Sequence, residues 1–230
     1  MNKIIWTSED VQEYSKIEWT ELSLLHPYFH ELLGEIKEKK IVDYGCGEGR
    51  LLQELIQRKA KVYGYDISAS MIEEAKKRLE GITELKTIAS GEIPLSNNSI
   101  DAVVSNLVLM MIPNAEEIRK VFQEVNRILI PDGTFTFCVT HPCFLDQKHN
   151  FYYNIFPQGF DYLKEPQAYN FVLIDSKGRE ISNPSFIDYS YSFGTYLNLL
   201  CENNFTLIKT IEVKTDRDKF PPYLILHARK

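Results

Sequence analysis

The stretch IVDYGCGEGRLLQELI, residues 41–56, joins an apolar strand to an amphipathic helix through three glycines within five residues. Leu51, Leu52, Leu55 and Ile56 recur at helical spacing and predict a helix that buries one face. Glycine at a strand–helix junction allows a tight turn and lets the backbone come close to a ligand. The stretch therefore predicts the first βα unit of an α/β fold, with a ligand at the junction.

Strand and helix patterns alternate on either side of this unit, as far as residue 140. Ser68 or Ser70 is expected to begin one helix, and Asn114 another, because Ser and Asn are favoured N-caps. The expected strands are Ile41–Tyr44, Lys61–Tyr65, Leu85–Ala89, Ile100–Ser105, Thr134–Thr140, Thr206–Val213 and Tyr223–Ala228. The prediction is a doubly wound, Rossmann-like sheet of seven strands, mostly parallel, with an antiparallel C-terminal pair and helices on both faces.

Composition narrows the classes of protein that fit. The chain has 230 residues, 44% hydrophobic and 25% charged, with a formal net charge of −6, so we expect no nucleic-acid partner. The longest apolar stretch, Val103–Ile112, is too short to span a bilayer, and the start lacks a signal-peptide pattern. We therefore expect no membrane partner. Four scattered cysteines favour reduced thiols and a cytoplasmic location.

The glycine spacing distinguishes between two nucleotide-containing ligands. A dinucleotide fingerprint needs Gly-x-Gly-x-x-Gly, but the sixth position is Arg50 counted from Gly45, or Leu52 counted from Gly47. Glu48 is expected in the first helical turn, where its carboxylate would repel a diphosphate. The spacing therefore favours a ligand without phosphates.

Asp43, Gly45, Gly47 and Gly49 match the (D/E)xGxGxG pattern, and the stretch resembles motif I of class I S-adenosylmethionine-dependent methyltransferases. Asp66 follows in VYGYDIS, at the place where the family's acid holds both ribose hydroxyls. Residues 89–112 resemble the family's adenine loop and fourth strand, and residues 124–137 its turn and fifth strand. The nearest branch is the type 11-like, small-molecule one, some members of which share the THPCF of residues 140–144.

This resemblance implies S-adenosylmethionine as cofactor, with S-adenosylhomocysteine as product, and no metal. Ser90 stands where the family often has an Asp, so Ser90, Gly91 and Glu92 are expected to share the adenine contact. Asn106 is followed by Leu107, so the Asp/Asn-Pro-Pro-Tyr pattern of amide and base methylation is absent. The predicted cofactor-binding residues are Asp43, Gly45, Cys46, Gly47, Gly49, Asp66, Ile67, Met71, Ser90, Gly91, Glu92, Asn106 and Leu107.

We expect one methyltransferase domain over residues 1–230. It comprises N-terminal helices that form a possible lid (1–38), a cofactor-binding core (39–140), an insertion on the acceptor side (141–190), and a closing helix and strand pair (191–230). The insertion is rich in aromatic residues and shows no clean period. Since it leaves from the end of the fifth strand, it is expected to cover the reacting methyl group.

The acceptor side offers one candidate base. His141 titrates in the range useful for general base catalysis, but it could equally be a structural histidine held by Pro142. A zinc site at Cys138, His141 and Cys143 is disfavoured by the spacing. The predicted acceptor-pocket residues are Tyr14, Trp19, Met110, His141, Phe144, Tyr152 and Tyr153.

The sequence thus predicts methyl transfer to O, N or C of a small, aromatic or apolar metabolite, by a monomer or homodimer. Two alternatives stay open. One is an RNA or protein methyltransferase with the same fold, because aromatic side chains can stack on bases. The other is a non-catalytic module that binds S-adenosylmethionine.

Overall fold

The computed structural model of the chain describes residues 20–81, 84–174, 177–180 and 186–230, with side chains from residue 24 onward in the first range. Tyr14 and Trp19 lie outside the described residues, as does the part of the possible lid (1–38) that precedes residue 20. Among the helices described, none combines the length and apolar character that crossing a bilayer requires.

The main sheet has seven strands, which are β1 (Lys40–Tyr44), β2 (Lys61–Asp66), β3 (Glu84–Thr87), β4 (Ile100–Asn106), β5 (Leu129–Thr140), β9 (Thr206–Val213) and β10 (Tyr223–Arg229). Their order across the sheet is β3-β2-β1-β4-β5-β10-β9. Strands β1 to β5 run parallel, whereas β10 is antiparallel to both β5 and β9. The predicted fold class is confirmed, including the antiparallel C-terminal pair.

Five helices of the described residues connect or flank these strands. They are α1 (Thr20–Leu33), α2 (Arg50–Gln57), α3 (Ala69–Leu79), α4 (Ala115–Ile128) and α5 (Phe193–Glu202). The Ser68 hydroxyl accepts a hydrogen bond from the Met71 amide at 3.3 Å, and Asn114 Oδ1 accepts one from the Glu117 amide at 2.7 Å. These side chains supply partners for helix-end amides that would otherwise have none, which explains where α3 and α4 begin.

Each face of the sheet has its own apolar core. On one face, Phe122 of α4 packs edge-on against Phe135 and Phe137 of β5, with ring centroids 5.4 and 5.5 Å apart. On the other, Leu25 and Phe29 of α1 are fully buried with the residues of α2 and α3. The helices therefore fix the sheet from both sides and leave the carboxyl ends of its parallel strands to form a site.

The insertion is more regular than its sequence indicates. It contains a three-stranded antiparallel sheet, β6 (Tyr152–Ile155), β7 (Gln167–Leu173) and β8 (Phe186–Ser190), which we call the roof sheet. Short 3₁₀ turns at Leu109–Met111 and Pro142–Phe144 follow β4 and β5. The sequence of the insertion shows no clean period because these strands are short and irregular loops separate them.

Candidate active site

A cavity of about 1310 Å³, counting its open mouth, lies between the carboxyl ends of the parallel strands and the roof sheet. Several predicted site residues line it, namely Gly45, Gly47, Asp66, Ile67, Met71, Ser90, Asn106, Leu107, Met110 and Tyr152.

The glycine loop brings bare backbone to the cavity wall. Gly45 has φ +79°, and a Cβ at this position would lie 2.3 Å from Cγ2 of Val108. The Gly45 amide donates to the Tyr65 carbonyl at 2.7 Å, which holds the loop against the end of β2. A side chain at Gly45 would therefore both strain the backbone and displace Val108.

Asp66 ends β2 and lines the cavity with its carboxylate already oriented. One carboxylate oxygen accepts a hydrogen bond from the Gly47 amide at 3.0 Å, and the other from the Ser68 amide at 2.8 Å. Burial raises the pKa of Asp66, although these backbone hydrogen bonds oppose the shift. Each oxygen keeps a further lone pair, so the carboxylate could accept two hydroxyl groups of a ligand.

Tyr44 connects the glycine loop with the polar loop around Ser90. The Gly91 amide donates to the Tyr44 hydroxyl at 2.9 Å, and the same hydroxyl lies 3.4 Å from Oγ of Ser90. Tyr44 and Ser90 line the cavity, whereas Gly91 and Glu92 do not. A Cβ at Gly91 would lie 2.9 Å from Cβ of Lys120, so this glycine serves the packing of the loop on α4.

The end of β4 supplies a polar group without a partner. Asn106 lines the cavity, and its buried Oδ1 accepts no hydrogen bond from the described residues. Leu107 follows with φ +56°, a left-handed conformation that is strained for a residue other than glycine. Such strain and such oxygens concentrate at ligand sites, since the bound molecule supplies the missing contacts.

Asp43, Cys46 and Gly49 of the predicted cofactor set lie behind the cavity wall. Asp43 is 2% exposed, and burial, together with the nearby Asp66 carboxylate, raises its pKa to about 8. A Cβ at Gly49 would lie 3.0 Å from Cδ1 of Leu79, so this glycine allows α2 and α3 to pack closely. These three residues shape the loop from behind.

Glu48 differs from its expected role, because it precedes the helix and its carboxylate is paired with two arginines. Helix α2 begins at Arg50, after Glu48, and the Glu48 carboxylate is held by Arg50 and by Arg78, with Arg78 Nη2 at 2.8 Å. Glu48 is also buried and does not line the cavity. The expected repulsion of a diphosphate was therefore wrong, because two guanidinium groups neutralise this carboxylate. The missing third glycine is what still disfavours a dinucleotide.

His141 lies off the cavity, and both of its ring nitrogens are engaged. The Cys143 amide donates to His141 Nδ1 at 3.2 Å, and His141 Nε2 lies 3.1 Å from the Glu212 carboxylate. Burial lowers the pKa of His141, against the opposing effect of Glu212. The imidazole thus connects the end of β5 to β9. Its ring contacts Phe144, with centroids 4.7 Å apart, and neither residue lines the cavity.

The two adjacent tyrosines of β6 point to opposite sides of the roof sheet, as neighbours in a strand must. Tyr152 faces the cavity, and its hydroxyl donates to the Pro222 carbonyl at 2.9 Å. Tyr153 turns away and donates to Glu180 at 2.6 Å. Phe144 also lies off the cavity, stacked on Phe220 with ring centroids 4.9 Å apart. Only one of these aromatic side chains therefore contributes to the wall.

Two polar residues of the roof sheet line the cavity but were not among the site residues predicted from the sequence. Asp188 and Asn154 line the cavity, and Oδ1 of each accepts no hydrogen bond from the described residues. Asp188 is 2% exposed, and burial raises its pKa to about 8. One signal in the sequence could have identified Asp188. It is the single acid within FIDYSY, residues 186–191, whose other residues suit a buried strand.

Residues 42–137 match the model of the type 11 methyltransferase family, described as a methyltransferase domain. The resemblance to the class I S-adenosylmethionine-dependent methyltransferases is confirmed. Within the matched segment, the glycine loop, Asp66 and the end of β4 lie together at one wall of the cavity.

Similar proteins extend the comparison in sequence and in fold. The chain is 34% identical, over 40% of its length, to a malonyl-[acyl-carrier protein] O-methyltransferase of Hahella chejuensis, and covers 33% of that protein. It is 35% identical, over 33% of its length, to a trans-aconitate 2-methyltransferase of Rhodopseudomonas palustris, and covers 30% of it. The aligned part thus spans about a third of each of these curated relatives.

A likeness in fold covers more of the chain. An S-adenosylmethionine-dependent methyltransferase from Mesorhizobium loti superposes with a TM-score of 0.67 at 22% identity, over 90% of this chain and 98% of that one. The fold is therefore that of these methyltransferases well beyond the segment matched in sequence.

Proposed function

We propose that this protein transfers the methyl group of S-adenosylmethionine to an oxygen, nitrogen or carbon atom of a small aromatic or apolar molecule. The observation that carries the proposal is the shared cavity. Asp66 and the glycine loop line one side of it, and aromatic residues of the roof sheet line the other. A donor and an acceptor bound in one cavity can react, whereas separate sites could not bring them together.

The cofactor side suits the polar parts of S-adenosylmethionine. Asp66 would accept the two ribose hydroxyls, and Ser90 and Tyr44 would border the adenine. Asn106 Oδ1, which accepts nothing from the described residues, would receive a donor group of the cofactor or the acceptor. When bound, the cofactor supplies a methyl group that its sulfonium already activates, so the protein has little chemistry of its own to add.

The residues of this chain would mainly bind, orient and exclude water. Tyr152, Phe171 and Leu173 give the acceptor side apolar walls, and the roof sheet encloses it. An enclosed apolar site strengthens the polar contacts within it and keeps water from the reacting methyl group. His141 lies off the cavity, so the proposed reaction assigns it no proton-transfer role.

The alternative acceptors fit the cavity less well. Of the described residues that line it, none is Lys, Arg or His, although RNA recognition depends on cationic contacts to phosphates. A module that only binds the cofactor would have no use for the aromatic wall that the roof sheet adds to the cavity. The curated relatives named above are methyltransferases of small or carrier-bound acids, which supports a small acceptor.

Two measurements test this proposal. Calorimetry should detect binding of S-adenosylhomocysteine and much weaker binding of NAD, and tighter binding of NAD would overturn the cofactor assignment. Methyl transfer from radiolabelled S-adenosylmethionine should then label the small-molecule fraction of a cell extract. Label confined to RNA or protein would replace the acceptor class, and cofactor binding without any label would favour the non-catalytic module.

A further inference from the structure

The face of the roof sheet that looks into the cavity carries oxygen atoms among aromatic and aliphatic side chains. Residues paired across its strands share this face, because paired residues in a sheet point to the same side. Asn154 pairs with Phe171, Tyr152 pairs with Leu173, and all four line the cavity. Asp188 on β8 lines it as well. The roof is thus apolar except at Asn154 and Asp188.

The side-chain amide of Asn154 is fixed in one orientation and has one oxygen that no described residue satisfies. Its Nδ2 donates to the Leu145 carbonyl at 2.8 Å, so the amide cannot turn over without losing this hydrogen bond. Its Oδ1 is buried and accepts nothing from the described residues. A buried carbonyl oxygen without a donor is costly, and a ligand with an N–H or O–H group would remove that cost.

Asp188 also has a buried oxygen that no described residue satisfies, and its side chain can carry a charge. It is 2% exposed, its Oδ1 accepts nothing from the described residues, and its partner across the sheet is Tyr169. A carboxylate is rarely this buried without a cation or several donors beside it. The ion pairs formed by the described residues do not include Asp188.

The cavity has no compensating positive charge from the part of the chain that the structure describes. Its lining there contains acids and amides but neither Lys, Arg nor His. A carboxylate ligand would meet no cation among these residues, which is unfavourable in a buried site. The malonyl and aconitate groups in the names of the two curated relatives are carboxylic acids, so this wall differs from what such acceptors require.

Building on the proposed function, we propose that the methyl acceptor carries an amine. Its ammonium group would bind Asp188, and its apolar body would pack against Tyr152, Phe171 and Leu173. An ammonium group offers three N–H donors and a positive charge, which suits the buried Asp188 carboxyl group, while Asn154, on the opposite edge strand of the roof sheet, could accept a second N–H or O–H group of the acceptor. Asp188 is in this sense a specificity-determining residue for the acceptor.

A matched series of ligands tests the preference. Phenethylamine, 2-phenylethanol and 3-phenylpropanoate share an aromatic body and differ in the terminal group. Their binding to the full chain is measured by calorimetry, with and without S-adenosylhomocysteine. Phenethylamine should bind at least tenfold more tightly than 3-phenylpropanoate, with 2-phenylethanol between them. Asp188→Asn should weaken phenethylamine at least tenfold and leave 2-phenylethanol within about twofold, since Asn cannot ionise to pair with a bound ammonium group.

Asp146→Asn is the matched control, because it removes one exposed carboxylate of the insertion away from the cavity and should change none of these affinities. Equal or tighter binding of 3-phenylpropanoate, no binding of phenethylamine, or an unchanged affinity in Asp188→Asn would overturn the amine proposal. The comparison within the wild-type protein stands even if the variant fails to fold. Failure of S-adenosylhomocysteine to bind on the same preparation counts instead against the proposed function.

Discussion

Replacing Asp188 by Asn should change how stability depends on pH. Burial raises the pKa of this carboxyl from 3.8 to about 8. Between these values the folded protein keeps a proton that the unfolded chain has lost. The protonated Asp188 carboxyl therefore contributes its full share to the free energy of unfolding below pH 4. This share falls as the pH rises and levels off above pH 8. The slope is about 1.4 kcal/mol per pH unit, and Asn cannot ionise, so the variant escapes this loss.

Urea unfolding of both proteins at pH 5, 6, 7 and 8 measures the effect. The free energy of unfolding of Asp188→Asn, relative to wild type, should grow by about 4 kcal/mol in total from pH 5 to pH 8. Asp43, which has a similarly raised pKa, contributes equally to both proteins and cancels in the difference. Asp132→Asn is the control, since this side chain is 85% exposed and its removal should give a difference that is flat with pH.

A flat difference for Asp188→Asn would refute the reasoning. It would mean that the carboxyl ionises in the folded protein as readily as in water, so that a cation or water already accompanies it. The need for a ligand cation would then disappear. The same result would also predict that phenethylamine gains nothing from Asp188.

The remaining predictions concern the cofactor wall and His141. Asp66→Ala should weaken S-adenosylhomocysteine by about 1.5–3 kcal/mol in calorimetry while the fold survives, and an unchanged dissociation constant would remove Asp66 from the site. Gly45→Ala should lower the free energy of unfolding by about 2–4 kcal/mol, because its Cβ would meet Val108 at 2.3 Å in a left-handed backbone. Gly81→Ala, with a similar φ and nothing within 4 Å, should cost only about 1–2 kcal/mol, and equal losses would contradict the steric explanation. His141→Gln should lower the free energy of unfolding by about 1–2 kcal/mol and leave kcat within a few-fold, whereas a hundredfold loss of kcat with full stability would restore the general base.

The main sheet could be predicted because its signals are local. The apolar strands and the caps at Ser68 and Asn114 each lie within a few residues of the element that they define. The antiparallel C-terminal pair could be predicted as well, because only a loop separates its two strands in the sequence. The position of Asp66 at the cavity also follows from this local pattern, since it ends a parallel strand.

The other site residues depend on contacts between distant parts of the chain. Glu48 is neutralised by Arg78, thirty residues away, and nothing near Glu48 in the sequence indicates this pairing. His141 is held by Glu212, seventy-one residues away, so a histidine that resembles a base is a link between strands. Asp188 reaches the cavity through the pairing of short strands in an aromatic segment. Such arrangements depend on tertiary packing between distant segments. The periodicity within one segment carries no information about them.

The two walls of the cavity come from different parts of the chain, and this limits what the relatives can reveal. The family match ends at residue 137, before the roof sheet begins, so it includes Asp66 and Asn106 but neither Asn154 nor Asp188. Relatives that share the matched segment are therefore expected to share the way they hold the cofactor. Their acceptors depend on whatever each chain places over the strand ends. In this chain that cover offers buried oxygens and, among the described lining residues, no cation, which favours an acceptor that donates hydrogen bonds over the carboxylic acids of the two named relatives.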